Sequence, residues 1–206
     1  MPSPKHVHRR HFLTLAGAGA AASLLGARAA LADTSAPGGW SGLVDRARAA
    51  LDHHGDAIKA RDRFIVVDFS LPSSTPRMLL VDQTRGKTQL LRVAHGRGSD
   101  PAHSGWLRSF SNQSGSNASS RGAYVTGPIY VGQHGRSQRL VGLEDSNNNA
   151  EARAIVIHGA WYCNDALIKQ TGKLGRSEGC FAVSEAQIDP LLDWLGPGRL
   201  LYADKV

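Results

Sequence analysis

Cys180 and His158 are the two side chains whose types and surroundings indicate nucleophilic catalysis. Cys180 follows Gly179 at the predicted junction of a loop and a strand, where a small glycine lets backbone N–H groups approach a substrate carbonyl. His158 lies 22 residues upstream, at the end of an apolar run. An imidazole beside a thiol can take the thiol proton and produce the reactive thiolate. Each residue alone is also typical of a buried core, so the prediction rests on the pair.

The pair must be positioned by two neighbouring strands. Residues 154–159 predict a buried strand that stops at Gly159, and residues 176–183 predict a loop that leads into a second strand. If these strands lie side by side, His158 and Cys180 become neighbours in space. The long Gly/Ser/Asn-rich stretch at residues 95–121 has no periodicity, and loops of that length are more often functional than idle.

The remaining pattern predicts a mostly antiparallel β fold with few helices. One amphipathic helix is predicted from Trp40 to about Ile58, and a short helix after Cys180 is predicted to begin at a capping box of Ser184 and Gln187. Pro190 falls inside that helix and is a point where it could divide. Further strands are predicted at residues 64–69, 78–82, 89–94, 123–126, 129–131, 139–143 and 200–202.

The segments around the pair carry a family resemblance. Ile157-His158-Gly159, followed after a loop by Ser177-Glu178-Gly179-Cys180, is similar to the His-Gly … Ser-x-Gly-Cys motif of the YkuD-type L,D-transpeptidases. The sequence most resembles the murein L,D-transpeptidase catalytic-domain subgroup, over about residues 62–204. The other segments that resemble this subgroup are residues 67–72, 94–96, 110–112, 119–120, 122–127, 153–160 and 175–177.

This resemblance implies a β-rich, sandwich-like fold in which Cys180 is the nucleophile and His158 the base. The implied reaction begins when Cys180 attacks the amide that precedes the terminal D-alanine of a peptidoglycan stem peptide, with backbone N–H groups of Gly179 and Cys180 stabilising the oxyanion. An amine of a second stem, or water, then attacks the thioester. The reaction requires neither a metal nor a cofactor, and its partners are peptidoglycan stem peptides.

Several residues near the pair are further candidates for the site. Ser177 and Gly159 flank the catalytic residues within the motif. Arg176 is a candidate to bind a substrate carboxylate in a bidentate manner, or else to face solvent. Ser119 and Ser120 either line the cleft or satisfy hydrogen bonds of a turn.

The motif departs from the wider family at two positions. Glu178 stands where histidine is frequent, and Ala182 stands where arginine or asparagine is frequent. The spacing of 22 residues between His158 and Cys180 is also longer than is common, although residues 161–174 can form a loop or a short helix. These departures bear on the choice of stem peptide and acceptor.

The sequence is also consistent with two other classes of function. His95, Asp100, His103 and His134 together with His158 could be a metal set of a zinc peptidoglycan peptidase, although no H-E-x-x-H or C-x-x-C pattern is present. A cell-wall-binding module without activity is the other alternative. Cys163 falls outside the matching motifs, and a disulfide between Cys163 and Cys180 is possible from the sequence.

The first 32 residues predict an export signal. Arg9-Arg10-His11-Phe12-Leu13 resembles the twin-arginine motif, a weakly apolar run follows, and Ala30-Leu31-Ala32 is a cleavage site. Residues 33–61 are then a linker and the N-terminal helix, and residues 62–206 the catalytic domain. The precursor would meet the twin-arginine export machinery, and the mature protein would lie in the periplasm or cell envelope without a stable membrane anchor.

Neither the charge nor the composition of the chain supports binding to nucleic acids. The chain of 206 residues has a formal net charge of +7, but Lys5, Arg9, Arg10 and Arg28 of the leader contribute four of these charges. The rest of the chain carries 20 basic and 17 acidic side chains, which is an ordinary balance. Aromatic residues make up only 6% of the chain, too few for a surface that stacks on bases.

Overall fold

The computed structural model describes Met1 and residues 39–206, so the predicted signal peptide lies outside the described residues. Three α-helices and eight strands follow one another, with short 3-10 helices at Arg97–Ser99 and Trp161–Cys163. The helices are α1 (Ser41–His53), α2 (Asp165–Thr171) and α3 (Glu185–Leu195). The strands are β1 (Arg63–Asp68), β2 (Met78–Asp82), β3 (Lys87–Leu91), β4 (Gly122–Gly132), β5 (Gly135–Gly142), β6 (Val156–Gly159), β7 (Phe181–Val183) and β8 (Leu200–Asp204).

All eight strands belong to one curled sheet. Their order is β3-β2-β1-β8-β4-β5-β6-β7, so β3 and β7 form its two edges. Just beyond β3, Ala94 pairs with Ala182 of β7, and the Ala94 N–H donates to the Ala182 carbonyl at 2.8 Å. The sheet therefore nearly closes into a barrel. Opposite halves of this curled sheet correspond to the two layers of the predicted sandwich. The predicted fold class, mostly β with an N-terminal helix and a short helix after Cys180, is confirmed.

The apolar strands are buried on both faces, which explains why their sequences do not alternate with polar residues. Ile65 and Val67 of β1 point into the main core inside the curled sheet. Phe64 and Val66 point to the opposite face, where they pack with Leu43 of α1. Because helix α1 covers the outer face of β1, both faces of this strand exclude water.

Helix α1 ends earlier than its periodicity predicts. It stops at His53, and the N–H groups of Ala57 and Ile58 both bond to the carbonyl of His54 in a following turn. Gly55 in this turn is a poor helix former, which accounts for the early end. Ile58 is nevertheless buried in the same cluster as the helix, so its apolar character is used without helical structure.

Two of the strand predictions merge into one strand. Residues 123–126 and 129–131 both belong to β4, and the register with β5 shifts between Thr126 and Ile129. Pro128 lies in this irregularity and has no N–H to give to a ladder, so the strand continues past it as a bulge.

Five of the seven strand pairs are antiparallel, as predicted, but β1 pairs with β8 and β6 pairs with β7 in parallel. A parallel neighbour requires a crossover connection, and α2 provides it between β6 and β7. The absence of a βαβ rhythm in the sequence concealed this unit. It matters because β6 carries His158 and β7 follows Cys180.

Helix α3 begins where it was predicted but without the predicted cap. Ser184 is the N-cap, yet its hydroxyl donates to the side-chain oxygen of Gln187 at 3.0 Å and makes no bond to a backbone N–H. Pro190 lies within the helix without dividing it. None of the helices within residues 39–206 has the length and apolar character needed to cross a bilayer.

Candidate active site

The parallel pair of β6 and β7 places His158 and Cys180 two register positions apart on neighbouring segments. His158 is level with Ala182 in the register, and Cys180 lies two residues before Ala182. The intervening residues fold as the 3-10 helix Trp161–Cys163 and α2, so the long spacing between histidine and cysteine is used by the crossover. Of the two residues predicted to act together, His158 thus lies in β6 and Cys180 directly before its partner strand β7.

Both side chains line one cavity of about 290 Å³. Its wall is formed by the segment before β6, the turn between β4 and β5, and the loop that leads into Cys180. The lining residues are Gln133, His134, Arg153, Ala154, His158, Tyr162, Arg176, Ser177, Glu178 and Cys180. A cavity of this size accommodates part of a peptide chain.

The Cys180 thiol is half-buried and protonated at rest. Its Sγ donates to the carbonyl of Ala154 at 3.6 Å, and Ala154 has a left-handed backbone with φ of 53°. Burial raises the pKa of Cys180 and the Glu178 carboxylate also raises it, whereas the backbone N–H of Val156 and the charge of Arg153 lower it. A backbone outlier that aims a carbonyl at a thiol is a feature typical of functional sites.

His158 is held in the tautomer that a general base requires. Its Nδ1 lies 2.9 Å from the carbonyl of Gly159, which only accepts, so Nδ1 carries the proton. Burial lowers the pKa of His158, with a smaller effect of His134, whose ring stacks on that of His158 at 4.3 Å between centroids. The ring is therefore neutral at pH 7, and Nε2 retains the lone pair that accepts a proton.

Glycine is the only residue type that fits at position 179, directly before Cys180. Its φ is +120°, and a Cβ atom would lie 2.7 Å from Cδ1 of Ile155 and 2.8 Å from the carbonyl oxygen of Ala118. Gly96 packs against it so closely that a Cβ on Gly96 would lie 2.7 Å from the Cα of Gly179. Two glycines in contact thus fix the backbone that presents the thiol.

Two predicted serines hold this backbone in place. Ser177 Oγ accepts from the N–H of Gly179 at 3.2 Å and donates to the carbonyl of Cys180 at 2.7 Å. Ser119 Oγ accepts from the N–H of Gly96 at 3.0 Å and donates to the carbonyl of Gly179 at 3.1 Å. Ser119 is completely buried, so its role is to join the loop of Gly96 to that of Gly179.

The other predicted residues have different positions. Arg176 lines the cavity, and its Nη1 donates to the carbonyls of Asp100 and Pro101. Ser120 is buried, and its hydroxyl donates to the carbonyl of Ser111. Gly159 packs against α3, where a Cβ would lie 3.0 Å from Cγ2 of Ile188.

Six cavity residues were absent from the predicted set of site residues, namely Gln133, His134, Arg153, Ala154, Tyr162 and Glu178. Arg153 belongs to a segment that resembles the family, which is the one signal that could have identified it. Glu178 was noted only as a departure from the motif, and it pairs with Arg97 at 2.9 Å on the surface. His134 was a candidate only for the alternative metal set, and the fold places it in the tight turn between β4 and β5, beside His158.

The residues of the alternative metal set are dispersed. His95 Nε2 lies 3.4 Å from Asp100 Oδ2, whereas His103 bonds to the carbonyl of Leu174, and His134 stacks on His158. Within residues 39–206 no three His, Cys, Asp or Glu side chains are arranged to hold a metal ion.

Both cysteines are free, so the possible disulfide is not formed. Cys163 is buried, its Sγ donates to the carbonyl of Ala182 at 3.4 Å, and burial raises its pKa to about 12. A thiol with such a pKa is a poor nucleophile at neutral pH. Cys163 thus behaves as a small core residue.

A buried charged cluster lies behind the site. The Arg77 side chain is fully buried, and its Nη2 donates to Nδ1 of His95 at 2.7 Å. Burial, followed by the charge of Arg77, lowers the pKa of His95 to about 3, so this histidine stays neutral. The carbonyl of His95 accepts from the N–H of Ser177 at 3.0 Å, which connects the cluster to the loop of Cys180.

Comparison with solved structures finds L,D-transpeptidases at low identity. One from Mycobacterium smegmatis and one from Mycobacterium tuberculosis H37Rv are 12% and 11% identical to this chain, with TM-scores of 0.42 and 0.44. The matches cover 69% and 70% of this chain and 58% of each of those chains. An L,D-transpeptidase in complex with imipenem is 12% identical, with a TM-score of 0.42 and coverage of 69% and 59%. This chain thus corresponds to less than two thirds of the length of each.

Comparison of the sequence with protein families gives a longer match. No curated protein matches the chain. The family described as L,D-transpeptidase catalytic domain matches residues 42–203, which include α1 except its first residue, all eight strands except the last residue of β8, and the whole candidate site. The chain belongs to the L,D-transpeptidase catalytic domain family, the family predicted from the segments around His158 and Cys180.

Proposed function

We propose that this protein is a peptidoglycan L,D-transpeptidase that acts through a thioester on Cys180. The observation that supports this most directly is the pairing of β6 with β7, which brings Cys180 and a correctly protonated His158 into one cavity. The substrate is a tetrapeptide stem whose terminal D-alanine is the leaving group. Neither a metal nor a cofactor takes part.

In the first step, the Cys180 sulfur forms a bond to the carbonyl carbon that precedes D-alanine. Burial raises the pKa of the thiol, so its proton moves to Nε2 of His158 as the attack proceeds. His158 then gives that proton to the nitrogen of the departing D-alanine, and the C–N bond breaks. The carbonyl of Gly159 stabilises the transient imidazolium through Nδ1–H.

The oxyanion is assigned to the N–H of Cys180. The N–H of Gly179, the other candidate, already donates to Ser177 Oγ at 3.2 Å. Cys180 itself lines the cavity, so its N–H is the donor beside the carbonyl that the thiol attacks. Ser177 and Ser119 act on the oxyanion only by fixing this backbone.

In the second step, an amine of another stem attacks the thioester carbonyl carbon. His158 Nε2 takes a proton from the amine and returns it to the Cys180 sulfur as the C–S bond breaks. If water enters instead, the same residues act as an L,D-carboxypeptidase. The route to water is open, since Cys180 is half-buried rather than enclosed.

Arg176 is the candidate to bind a carboxylate of the stem. Its hydrogen bonds to described residues use Nη1 alone, to the carbonyls of Asp100 and Pro101. The Nε and Nη2 edge remains available, and this edge binds a carboxylate in a bidentate manner. Tyr162 lies in the same cavity and offers an aromatic face to the peptide.

Incubation of the mature protein with a disaccharide-tetrapeptide tests this function. We expect release of D-alanine and formation of a cross-linked dimer or a tripeptide, read as product masses, with no loss of activity when a chelator is added. Activity that disappears with the chelator and returns with zinc would support the zinc peptidase instead. Binding to the cell wall without any product would support the inactive binding module.

A carbapenem provides a second probe of the same residue. One similar solved structure is an L,D-transpeptidase in complex with imipenem, a member of this class. The strained β-lactam carbonyl is attacked in the same way as the stem amide. We propose that it forms a covalent adduct on Cys180.

Export through the twin-arginine pathway is proposed from Arg9 and Arg10, and it implies action in the periplasm or cell envelope. Replacing both arginines by lysine is expected to leave the precursor in the cytosol, as measured by fractionation and immunoblotting. The mature chain of the unchanged protein should begin at Asp33. Normal export of the lysine variant would contradict the twin-arginine assignment.

A further inference from the structure

Arg153 is held rigidly at the wall of the cavity by neutral acceptors. Its Nη1 donates to the carbonyl of Ser111 at 2.8 Å and to Ser120 Oγ at 2.7 Å. Its Nη2 donates to the carbonyl of Ala118 and to Ser116 Oγ at 3.3 Å. The four N–H bonds of the two terminal nitrogens are thus engaged, and the guanidinium cannot turn.

This guanidinium keeps its full positive charge. Among the described residues, no carboxylate pairs with Arg153, and all its hydrogen-bond partners are uncharged. With only Nε left, Arg153 also lacks the edge that binds a substrate carboxylate in a bidentate manner, in contrast to Arg176. An unneutralised, half-buried cation with its donors already used acts on its surroundings through its charge.

Cys180 is the nucleophilic group that shares a cavity with this charge. Arg153 and Cys180 line the same cavity, and Nη2 of Arg153 lies 3.2 Å from the position that a Cβ of Gly179 would occupy. The guanidinium therefore lies beside the peptide that leads directly into Cys180. Its connection to Ala118, whose carbonyl also contacts Gly179, fixes this distance.

Groups around Cys180 act on a thiolate in both directions. Burial disfavours it, the backbone N–H of Val156 favours it, and the carboxylate of Glu178 disfavours it although Glu178 pairs with Arg97 at 2.9 Å. The remaining titratable groups in the cavity are His134, His158, Tyr162 and Arg176. Of these, His158 is neutral at rest because burial lowers its pKa, and Arg176 is directed to the carbonyls of Asp100 and Pro101.

We propose that Arg153 supplies the fixed positive charge that stabilises the Cys180 thiolate and the tetrahedral anion formed from it. The part on the tetrahedral anion rests on the proposed function, whereas the part on the thiolate concerns the thiol alone. Arg153 thereby makes a buried cysteine usable as a nucleophile without binding the substrate. It acts on Cys180 through space, as a charge-stabilising residue.

Alkylation of Cys180 by neutral iodoacetamide tests the thiolate without any substrate. The rate is measured against pH by peptide mass spectrometry for the full mature chain and its variants. In Arg153→Gln, we expect the midpoint of the rate profile to move up by about one pH unit, which gives about a tenfold slower reaction at pH 7. The rate at high pH should stay within about twofold, because the thiolate itself remains accessible.

Two further variants separate the charge from the hydrogen bonds. Arg153→Lys keeps the charge but cannot make the four hydrogen bonds, and we expect its midpoint to stay close to that of the unchanged protein. Ser116→Ala removes one acceptor of Arg153 and keeps the charge, so its midpoint should not move. If Arg153→Gln does not fold, as judged by circular dichroism, Arg153→Met, which also removes the charge, takes its place in the comparison with Arg153→Lys.

An unchanged midpoint in folded Arg153→Gln, or a midpoint in Arg153→Lys as high as expected for the glutamine variant, would overturn the proposal. So would an equal loss of rate at every pH, which would indicate a structural role alone. A protein that shows the midpoint shift but releases no D-alanine from tetrapeptide would contradict the proposed function and leave the thiolate assignment standing.

Discussion

Replacement of Cys180 by alanine is expected to reduce D-alanine release from a tetrapeptide stem to the background rate, a loss of roughly 10⁴-fold or more. The reason is that no other thiol reaches the cavity, so the thioester cannot form. The same substitution should abolish the mass adduct with a carbapenem. Both quantities are measured on purified mature protein by mass spectrometry, with circular dichroism to confirm the fold.

Cys163→Ala is the matched control, because Cys163 is buried behind β7 and its pKa is raised to about 12. It should retain both the adduct and turnover. His158→Ala should slow acylation by about 10²–10⁴-fold, as is typical of a lost general base, without unfolding the domain. If Cys180→Ala still releases D-alanine at the unchanged rate, the cysteine mechanism is wrong.

The candidate pair of Cys180 and His158 could be proposed from the sequence because its pattern is local. Gly179 before Cys180, and Gly159 after His158, are small residues beside reactive ones, and the structure explains both by contact. Gly179 has a positive φ and no room for a Cβ, and Gly159 packs against α3. A requirement of the backbone appears in the sequence as a residue type, so it can be recognised before the fold is known.

Arg153 could not be assigned from the sequence because its partners are distant along the chain. Its four acceptors belong to residues 111–120, a stretch with no periodicity and no charge, so no complementary residue signals a contact. The parallel pairing of β6 and β7 was missed for a related reason. Helix α2 has no buried residue, and its sequence therefore lacks the apolar stripe that would identify a crossover helix.

The cap of α3 shows where a correct local pattern gives a wrong contact. Ser184 and Gln187 have the spacing of a capping box, and the helix does begin there. Their side chains bond to each other instead of to the backbone. A sequence pattern of this kind indicates the position of a helix end, whereas the hydrogen bonds depend on side-chain rotamers that the pattern does not specify.

Arg77 carries the second large effect. Its guanidinium is fully buried, donates to the carbonyls of Val93 and Leu71 as well as to His95, and lies 5.0 Å from the centre of the Phe69 ring. Arg77→Met would leave these three acceptors without a donor, with those of Val93 and His95 buried and that of Leu71 partly buried. Each buried acceptor costs about 1–3 kcal/mol, so we expect the free energy of unfolding to fall by about 3 kcal/mol.

For a domain of this size, that loss corresponds to a melting temperature lower by roughly 10 °C, measured by thermal circular dichroism. The melting temperature of Arg77→Lys should lie between those of the unchanged protein and Arg77→Met, because an ammonium group retains the charge but cannot reach all three acceptors. Arg108→Met, a change at an exposed arginine, is the control and should shift the melting temperature little. Because His95 holds Ser177 through its carbonyl, the loss of Arg77 should also slow alkylation of Cys180 at every pH, which distinguishes this supporting role from the charge effect of Arg153. A melting temperature of Arg77→Met equal to that of Arg108→Met would show that water or repacking satisfies the three acceptors.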